Sequence, residues 1–393
     1  MRWNLLWYVL LLPALAQPQV WSQLQDFPGT ARDDAAAFVI GDDIYVGTGR
    51  QVDFGLTADW FRYSTTTGTW SEVASLPAIG RQYCSAFTWN GQGHLVGGHV
   101  NGMPSAEVWT YDPLADAWEQ QGALPEAMNA STAFVLDDGP HLATGFLSND
   151  LPSTHHVRFD MASGTWSTLE SMPGDPRHRA SSFAHGGAGY VLGGADVVFF
   201  EFDEVWRYDP LAGTWEARAP LPSGRSRGDA IEVEDGGVHI GGVSAQFAPT
   251  GVHDDVWHYH AASDTWEELP VFPPGTRSNA VIATVNGSIY YGTGSNAVER
   301  YRDWWRLDLP VSVREQGIVL RAPYPNPTSG TVNLDRSLLP SDRKVILLDG
   351  NGRAVREWAA TTRAVDLDDL APGAYLLRVI GSSIRHHPLM IIP

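Results

Sequence analysis

Cysteine and lysine are almost missing from this sequence of 393 residues, which has one of each, Cys84 and Lys344. A single cysteine cannot form an intrachain disulfide, so packing and hydrogen bonds must stabilise the fold. Positive charge is also scarce, since 26 basic side chains stand against 45 acidic ones and the formal net charge is −19. Because an acidic surface repels phosphate backbones, this balance argues against general nucleic-acid binding.

Long apolar runs are absent beyond the N-terminus. There, Arg2 precedes an apolar run that ends in Ala14-Leu15-Ala16, the small-x-small pattern cut by signal peptidases. The pattern predicts a signal peptide over residues 1–16 and a mature chain that begins at Gln17. No later segment reaches the ~20 apolar residues of a membrane-spanning helix, so we expect an exported protein without a transmembrane segment.

Helical periodicity is absent as well. Instead, 40 glycines, 26 prolines and 16 tryptophans favour many short strands joined by tight turns. We therefore expect an all-β protein.

A sequence unit of about fifty residues recurs along most of the chain. The units share a hairpin turn, a strand that ends at a glycine and an aromatic strand, and all but the last continue into a strand with a tryptophan. Since positions two apart on a strand face the same side, each unit has one aromatic face and is predicted to form a four-stranded antiparallel sheet. The repeated tryptophans are Trp21, Trp70, Trp118, Trp166, Trp215 and Trp266.

These units resemble kelch repeats, which build the blades of β-propellers. The diglycine, the aromatic pair and the spaced tryptophan carry the resemblance, which implies a six-bladed propeller over residues 17–309. The third unit has Thr144 in place of a glycine and Val157 in place of a tryptophan, so we expect its blade to pack less well. Because the same aromatics recur in every unit, we interpret them as packing residues rather than as a ligand-stacking site.

The last unit lacks a tryptophan strand of its own after Trp305. Trp21 lies before the first complete unit and supplies the missing position. We therefore predict that the N-terminal strand completes the last blade, which leaves no exposed edge there.

The last seventy or so residues follow a different pattern from the repeat. Residues 310–322 are predicted to be a linker, and the strand signals in 323–393 predict a small β-sandwich. Three motifs resemble the C-terminal sorting domain of the type IX secretion system of Bacteroidetes-type bacteria: YPNPTSG at 324–330, LLDGNGRAV at 347–355 and LAPGAYLLRV at 370–379. The resemblance implies that residues 323–393 engage the secretion machinery and that the protein is secreted or displayed on the outer-membrane surface.

Arginine recurs at one aligned position near the blade connections, where we expect the functional face of the propeller. One interpretation is a pocket for a carboxylate or an acidic sugar, because guanidinium groups bind such anions bidentately. The alternative, which the recurrence favours, is that each arginine caps loop carbonyls or pairs with acids such as Asp33 and Asp34. The aligned residues are Arg32, Arg81, Asn129, Arg177, Arg225 and Arg277. The candidate ligand-binding set is Arg32, Arg50, Arg81, His99, Asn129, Arg179, Arg227 and Arg277.

A loop with Phe199, Phe200 and Phe202 among acidic residues is a second candidate, as a partner contact or as packing over a neighbouring blade. His155-His156 and His253-Asp254-Asp255 lack a recurring ligand spacing, so we predict solvated loops, no metal site and no cofactor. Cys84 is predicted to be a small buried thiol, since the copper ligands of galactose-oxidase-type kelch enzymes have no match here.

These features favour a monomeric, non-catalytic binding module for a protein or glycan ligand, with an anionic ligand as one possibility. The alternative is a carbohydrate-active enzyme, similar to a sialic-acid mutarotase, that uses an arginine-rich axial mouth. An enzyme would need an acid or base with a perturbed pKa at that mouth, whereas a binding module needs only exposed contacts.

Overall fold

The structure is a computed structural model that describes residues 20–160, 164–244, 251–296 and 298–309, and shorter segments between 332 and 391. The expected signal peptide (1–16), the expected linker (310–322) and the YPNPTSG motif lie outside the described residues. The chain divides into two compact units, Met1–Val311 and Ser312–Pro393. Among the residues described, no helix is long and apolar enough to cross a membrane.

The first unit consists of six antiparallel sheets, or blades, each built on four strands that we letter A to D from the axis outward. Blade 1 contains Ala36–Ile40, Asp43–Gly47, Trp60–Ser64 and Thr69–Val73. Blade 2 contains Ser85–Trp89, Gln92–Val96, Met103–Asp112 and Ala117–Asn129, with the short strands His99–Val100 and Phe146–Leu147 added. Blade 3 contains Thr132–Leu136, Gly139–Ala143, His156–Asp160 and Thr165–Thr168.

The remaining blades repeat the same meander. Blade 4 contains Ser181–His185, Ala188–Leu192, Val205–Asp209 and Thr214–Arg218. Blade 5 contains Asp229–Val233, Gly236–Ile240, Val256–His260 and Thr265–Leu269. Blade 6 contains Val281–Val285, Ser288–Gly292, Trp304–Asp308 and, as its strand D, Val20–Gln23. A separate short ladder pairs Arg32–Asp33 with Arg50–Gln51.

The strands A form a closed ring, because each contacts strand A of the next blade and the last contacts the first. This arrangement confirms the predicted all-β, six-bladed propeller. In each antiparallel blade the A–B and C–D turns lie at one end, and the B–C loops and the connections between blades lie at the other. We call the second end the mouth face.

At three of the six blade junctions, a phenylalanine on strand A packs on a glycine on strand B of the next blade. A Cβ atom on Gly93 would lie 2.2 Å from the Phe38 ring, and one on Gly237 would lie 2.5 Å from Phe183. Between blades 2 and 3 this glycine position is Pro140, and a cavity of about 230 Å³ remains. Aromatic side chains dominate its lining, namely Phe87, Trp89, His94, Phe159 and Trp166.

Five of the six repeated tryptophans donate an indole hydrogen bond to the segment that follows the preceding blade. The Trp118 indole N–H donates to the Ala74 carbonyl at 2.9 Å, and the Trp266 indole N–H donates to the Ala219 carbonyl at 3.0 Å. Trp70 and Trp215 make the corresponding bonds to Gln25 and Glu170.

The N-terminal strand closes the ring in the same manner. Val20–Gln23 pairs with Trp304–Asp308, with Trp21 opposite Leu307. The Trp21 indole donates to the Pro270 carbonyl at 3.2 Å, and its ring centroid lies 5.0 Å from that of Phe272. Blade 6 therefore combines one strand from the N-terminal end of the propeller with three strands from its C-terminal end.

The second unit contains a four-stranded antiparallel sheet and a two-stranded one. The larger sheet has the order Ala354–Ala359, Lys344–Leu348, Gly373–Ile380 and Ile384–Ile391. The smaller one pairs Val332–Asn333 with Ala364–Val365.

Replacement of Trp21 tests the closure of the ring. We expect Trp21→Ala to lower the free energy of unfolding of the propeller by about 2–3 kcal/mol, because it removes a partly buried ring and an inter-blade hydrogen bond. Deletion of residues 17–28 is expected to destabilise the propeller further. Chemical denaturation measures both effects, with the exposed Leu211→Ala as a control that leaves stability unchanged. Equal stability of the deletion variant and the wild type would rule out this closure.

Candidate functional site

The five repeated arginines lie inside the propeller and not on its surface. Each is at most 2% exposed, and each guanidinium pairs with an acidic residue of its own blade that lies directly before strand C or, in blade 2, within strand C. The pairs are Arg32–Asp59, Arg81–Glu107, Arg177–Glu204, Arg225–Asp255 and Arg277–Asp303. We call each pair an arginine bridge.

The arginine bridges connect several parts of the structure at once. In blade 5, both oxygens of Asp255 accept from Arg225, at 2.6 and 3.0 Å, and Oδ2 also accepts from the Trp257 indole at 2.7 Å. Partial burial opposes ionisation of Asp255, but the bond and charge of Arg225 hold its pKa below the usual value. The Arg225 carbonyl accepts from Gly194 of the preceding blade at 2.9 Å. Arg32, Arg81 and Arg277 are buried in equivalent pairs, which supports the structural interpretation of these residues.

The structure corrects the alignment of the third blade by one residue. The Met128 carbonyl, not that of Asn129, accepts the bond from the preceding blade, donated by Gly98 at 2.9 Å. Asn129 is buried and aligns instead with the residue after each arginine. Blade 3 therefore has no arginine bridge, since Met128, His155 and Val157 replace the arginine, the acid and the tryptophan.

Six residues, each two positions after the bridge position, surround the axis on the mouth face. All six have a left-handed backbone with φ between 51° and 58°. Five of their amides donate to the carbonyl of the matching residue in the preceding blade, as from Arg227 to Arg179 at 3.0 Å. This mouth ring consists of Asp34, Tyr83, Ala130, Arg179, Arg227 and Asn279.

A channel continues from the mouth ring along the axis. It contains a space of about 140 Å³ at the ring and one of about 260 Å³ between the strands A. Both spaces share the small wall residues Ala35, Cys84, Ser131 and Ala180. Small side chains at these positions keep the centre of the ring open. Desolvation raises the pKa of the Cys84 thiol to about 12, so it is not a thiolate at neutral pH.

Arg179 and Arg227 bring two positive charges to the mouth. The Arg179 guanidinium lies 4.6 Å from the Tyr83 ring centroid and 3.1 Å from Nδ1 of His178. Burial, and then the charge of Arg179, lowers the pKa of His178 to about 3, so this ring is neutral and Nδ1 accepts the bond. Burial and the neighbouring Arg179 also lower the pKa of Arg227. Within the described part of the chain, neither arginine has a carboxylate ion pair.

Two carboxyl groups with raised pKa values face the same space. Burial and the adjacent Asp33 raise the pKa of Asp34 to about 7, against the opposing charges of Arg179, Arg50 and Arg227. Oδ2 of Asp34 has no hydrogen-bond partner among the described residues. Deeper in the channel, desolvation raises the pKa of Asp229 to about 8, although its Oδ2 accepts from the Ala280 amide, at 3.2 Å. Both groups therefore exchange protons near neutral pH.

Arg50 and His99 line a side groove next to the mouth rather than the axis. The groove has a volume of about 490 Å³ and also contains Phe54, Ile79 and Gln82. The Arg50 guanidinium bonds to Asp33 at 3.2 Å and lies 5.6 Å from the Phe54 ring centroid. Arg50 thus pairs with a carboxylate, which it shares with Arg300 at 2.9 Å, in contrast to Arg179 and Arg227.

The phenylalanine loop of blade 4 is divided between packing and exposure. Phe202 is 7% exposed and packs under the Arg177 guanidinium at 4.2 Å. Phe199 contacts the His178 ring edge-on, at 5.7 Å between centroids. Phe200 is 64% exposed. Packing therefore accounts for Phe199 and Phe202, and a partner contact through the exposed Phe200 stays a prediction.

Two family models match parts of this chain. A model described as the KLHDC2/KLHL20/DRC7 Kelch-repeats domain matches residues 15–194, and one described as a secretion system C-terminal sorting domain matches residues 322–392. The human Kelch-like protein 23 is 25% identical over 272 residues, which cover 68% of this chain and 47% of that protein. The chain thus spans about half the length of this relative.

A bacterial protein and a solved structure are also similar to this chain. N-acetylneuraminate epimerase 1 of Escherichia coli O6:H1 is 22% identical over 277 residues, which cover 67% of this chain and 68% of that protein. The solved structure titled "Structure of YjhT" has a TM-score of 0.63 at 17% identity, and the match covers 72% of this chain and 95% of that one. At this identity, the structural match concerns the fold alone.

Removal of one arginine bridge distinguishes a structural role from a ligand contact. We expect Arg225→Met to lower the free energy of unfolding by about 3 kcal/mol, because it leaves Asp255 buried without its partner. The double variant Arg225→Met/Asp255→Ala is expected to be more stable than the single one, as blade 3 folds with Met128 at this position. Chemical denaturation measures both differences. Wild-type stability of Arg225→Met would contradict the structural role.

Asp34 should make the stability of the propeller depend on pH. Its pKa is 3.8 in the unfolded chain and about 7 in the folded one, so the folded state retains a proton that the unfolded state releases. The stability gained from this proton is complete below pH 3.8 and is lost as the pH rises through about 7. We expect Asp34→Asn to raise Tm at pH 8 by about 2–4 °C but not at pH 3.5, as measured by calorimetry. An equal shift at both pH values would contradict the assignment, and Glu72→Gln on the surface is the control.

Proposed function

The chain is a kelch-repeat β-propeller protein with a secretion-system C-terminal sorting domain, and from this premise we propose that the exported propeller binds an acidic sugar at its mouth ring. The sorting domain indicates export by type IX secretion, to the cell surface or beyond. The observation that carries the proposal is the pair Arg179 and Arg227, two guanidinium groups that line the mouth without a carboxylate partner among the described residues.

The chemistry of the mouth ring matches a carboxylate-bearing sugar. Guanidinium groups bind carboxylates through paired hydrogen bonds, and these bonds strengthen where water is partly excluded. Tyr83 offers an aromatic ring, and Asn279 an amide that donates and accepts hydrogen bonds. The net charge of −19 repels anions elsewhere on the protein, so the paired arginines concentrate such a ligand at one place.

A second candidate function is catalysis on the same ligand. The raised pKa values of Asp34 and Asp229, about 7 and about 8, favour it, because a general acid or base works best with a pKa near the ambient pH. Such groups suit the interconversion of the anomers of a reducing sugar, which requires proton transfer at the ring oxygen and at the anomeric hydroxyl. The similarity to an epimerase named for N-acetylneuraminate is consistent with this candidate.

Binding of N-acetylneuraminate to the full mature chain tests the proposal. We expect calorimetry to detect binding that Arg227→Met weakens by roughly 10-fold or more, since one charge-assisted contact contributes about 1.5–3 kcal/mol. The affinity should fall as the pH rises through about 7, because ionised Asp34 repels the ligand carboxylate. Arg62→Met, on an exposed arginine that pairs with Asp43, is the matched control.

The same preparation separates binding from catalysis. For an enzyme, NMR exchange spectroscopy should show faster anomer interconversion with the wild type, and Asp34→Asn should abolish the acceleration while binding remains. If the wild type binds the sugar but does not accelerate anomer interconversion, the propeller is a binding module and not an enzyme for this sugar. If a glycan array yields only neutral sugars, or if Arg227→Met binds as tightly as the wild type, the mouth ring is not the acidic-sugar site.

A further inference from the structure

A compact group of metal-binding side chain types lies at the end of blade 5 opposite the mouth face. Asp235 is in the A–B turn, and His258 and His260 occupy alternate positions of strand C, so both imidazoles lie on the same side of the sheet. Oδ1 of Asp235 lies 2.8 Å from Nε2 of His258, and Oδ2 lies 3.0 Å from Nδ1 of His260. One ligand atom from each residue falls within 4.8 Å of the other two.

We propose that Asp235, His258 and His260 form a binding site for a divalent transition metal, with Zn²⁺ as the best match. Two imidazole nitrogens and one carboxylate oxygen are ligands that Zn²⁺ prefers, and a water molecule completes the tetrahedron. Bond lengths of ~2.0–2.1 Å place neighbouring ligands of a tetrahedral Zn²⁺ about 3.3 Å apart. The observed separations of 2.8 and 3.0 Å join the imidazoles to the two different oxygens of Asp235, and the three ligand atoms lie within 4.8 Å of one another. Small side-chain rotations are therefore needed to bring one oxygen and two nitrogens to the tetrahedral spacing.

Glu267 holds one of the histidines in the required orientation. Its Oε2 lies 2.9 Å from Nε2 of His260, so Nε2–H donates to this carboxylate while Nδ1 is directed toward Asp235. A carboxylate behind a metal-bound imidazole fixes its tautomer and raises its basicity. Glu267 is on strand D, directly opposite His258 in the ladder, and the site therefore depends on the pairing of strands C and D.

The charges around the site make metal binding compete with protons. Partial burial opposes the charge on His260, but the bonds from Glu267 and Asp235 raise its pKa, whereas burial lowers the pKa of His258. Each imidazole must bind the metal ion through a nitrogen that carries no proton, so protons and the metal ion compete for both rings. Affinity should thus decrease as the pH falls below neutral.

Blade 3 provides an internal comparison for the same position. Asp138 stands in the corresponding turn and bonds to Arg158 at 2.8 Å and to His141 at 3.0 Å. Arg158 occupies the strand C position of His258, and Asp160 that of His260. This turn carboxylate is therefore one half of an ordinary ion pair in blade 3, and the His-x-His pair is what distinguishes blade 5.

The earlier histidine candidates do not form such a group. His156 is fully buried, with Nε2 against the ring of His141 at 3.0 Å. His253 contacts Ser244 at 2.7 Å. The sequence-based prediction of no metal site rested on these two segments. His258 and His260 lie more than twenty residues from Asp235, so no short ligand spacing in the sequence indicated this group.

Metal titration of the full mature chain tests the proposal. After removal of metal by a chelator at pH 7.5, we expect one equivalent of Zn²⁺ to bind and to raise Tm, and Co²⁺ to produce the visible absorption of a tetrahedral complex. His258→Asn and His260→Asn should each weaken binding by roughly 100-fold, and Glu267→Gln by about 10-fold. The matched controls are His253→Asn and Asp138→Asn, which should bind as the wild type does.

Folding and acidic-sugar binding are followed in parallel. Each variant is used only if its circular dichroism and metal-free melting match those of the wild type, and Asp235→Asn supplies an independent variant if a histidine variant unfolds. Sugar binding at the mouth ring should not change, so the two proposals fail separately. Wild-type Zn²⁺ affinity in the His258→Asn/His260→Asn variant, or binding lost in His253→Asn, would overturn the site.

Discussion

The propeller depends on one constraint, which is that both faces of every blade must be covered by neighbouring blades. Phe38 on Gly93 and Phe183 on Gly237 show how closely adjacent sheets approach. A ring of such sheets is complete only when the last blade meets the first, and Val20–Gln23 satisfies this requirement by adding the outer strand of blade 6. Backbone bonds between blades follow the same circle, from Gly49 to Arg81 and onward to Gly294 and Arg32. The channel exists because six strands A surround the axis with small side chains.

In each repeat, the structural bridge position and the variable mouth-ring position are two residues apart in the sequence. At the bridge position, arginine is buried and bonded to an acid, a carbonyl and the preceding blade, as for Arg225. Two residues later, the left-handed backbone brings Asp34, Tyr83, Arg179, Arg227 and Asn279 to the axis. Here the side chain varies between blades, although blades 4 and 5 both contribute arginine. The repeated geometry therefore supplies the positions, and the side chains at these variable positions supply the chemistry.

Blade 3 shows what happens where the repeat weakens. Met128, His155 and Val157 replace a whole arginine bridge and its tryptophan, and Pro140 replaces the glycine that would admit Phe87. The expected poorer packing agrees with the cavity beside this blade. The error of one residue at Asn129 has the same origin, because methionine offers no polar signal to align with arginine. Blade 5 differs from the other blades at strand C, where His258 and His260 contact the turn carboxylate. In blade 3, the same strand contributes Arg158 to an ion pair with its turn carboxylate.

Periodicity along the chain was enough to determine the strand order, the number of blades and the role of Trp21, because those features follow from local patterns and from counting. The sorting motifs were equally local. Which arginine is buried, and which faces the axis, was decided only by the tertiary structure, since Arg177 and Arg179 have the same chemistry and differ in the backbone conformation that directs them. The raised pKa values of Asp34 and Asp229, and the meeting of Asp235 with His258 and His260, likewise arise from residues far apart in sequence that share a desolvated space or a sheet end.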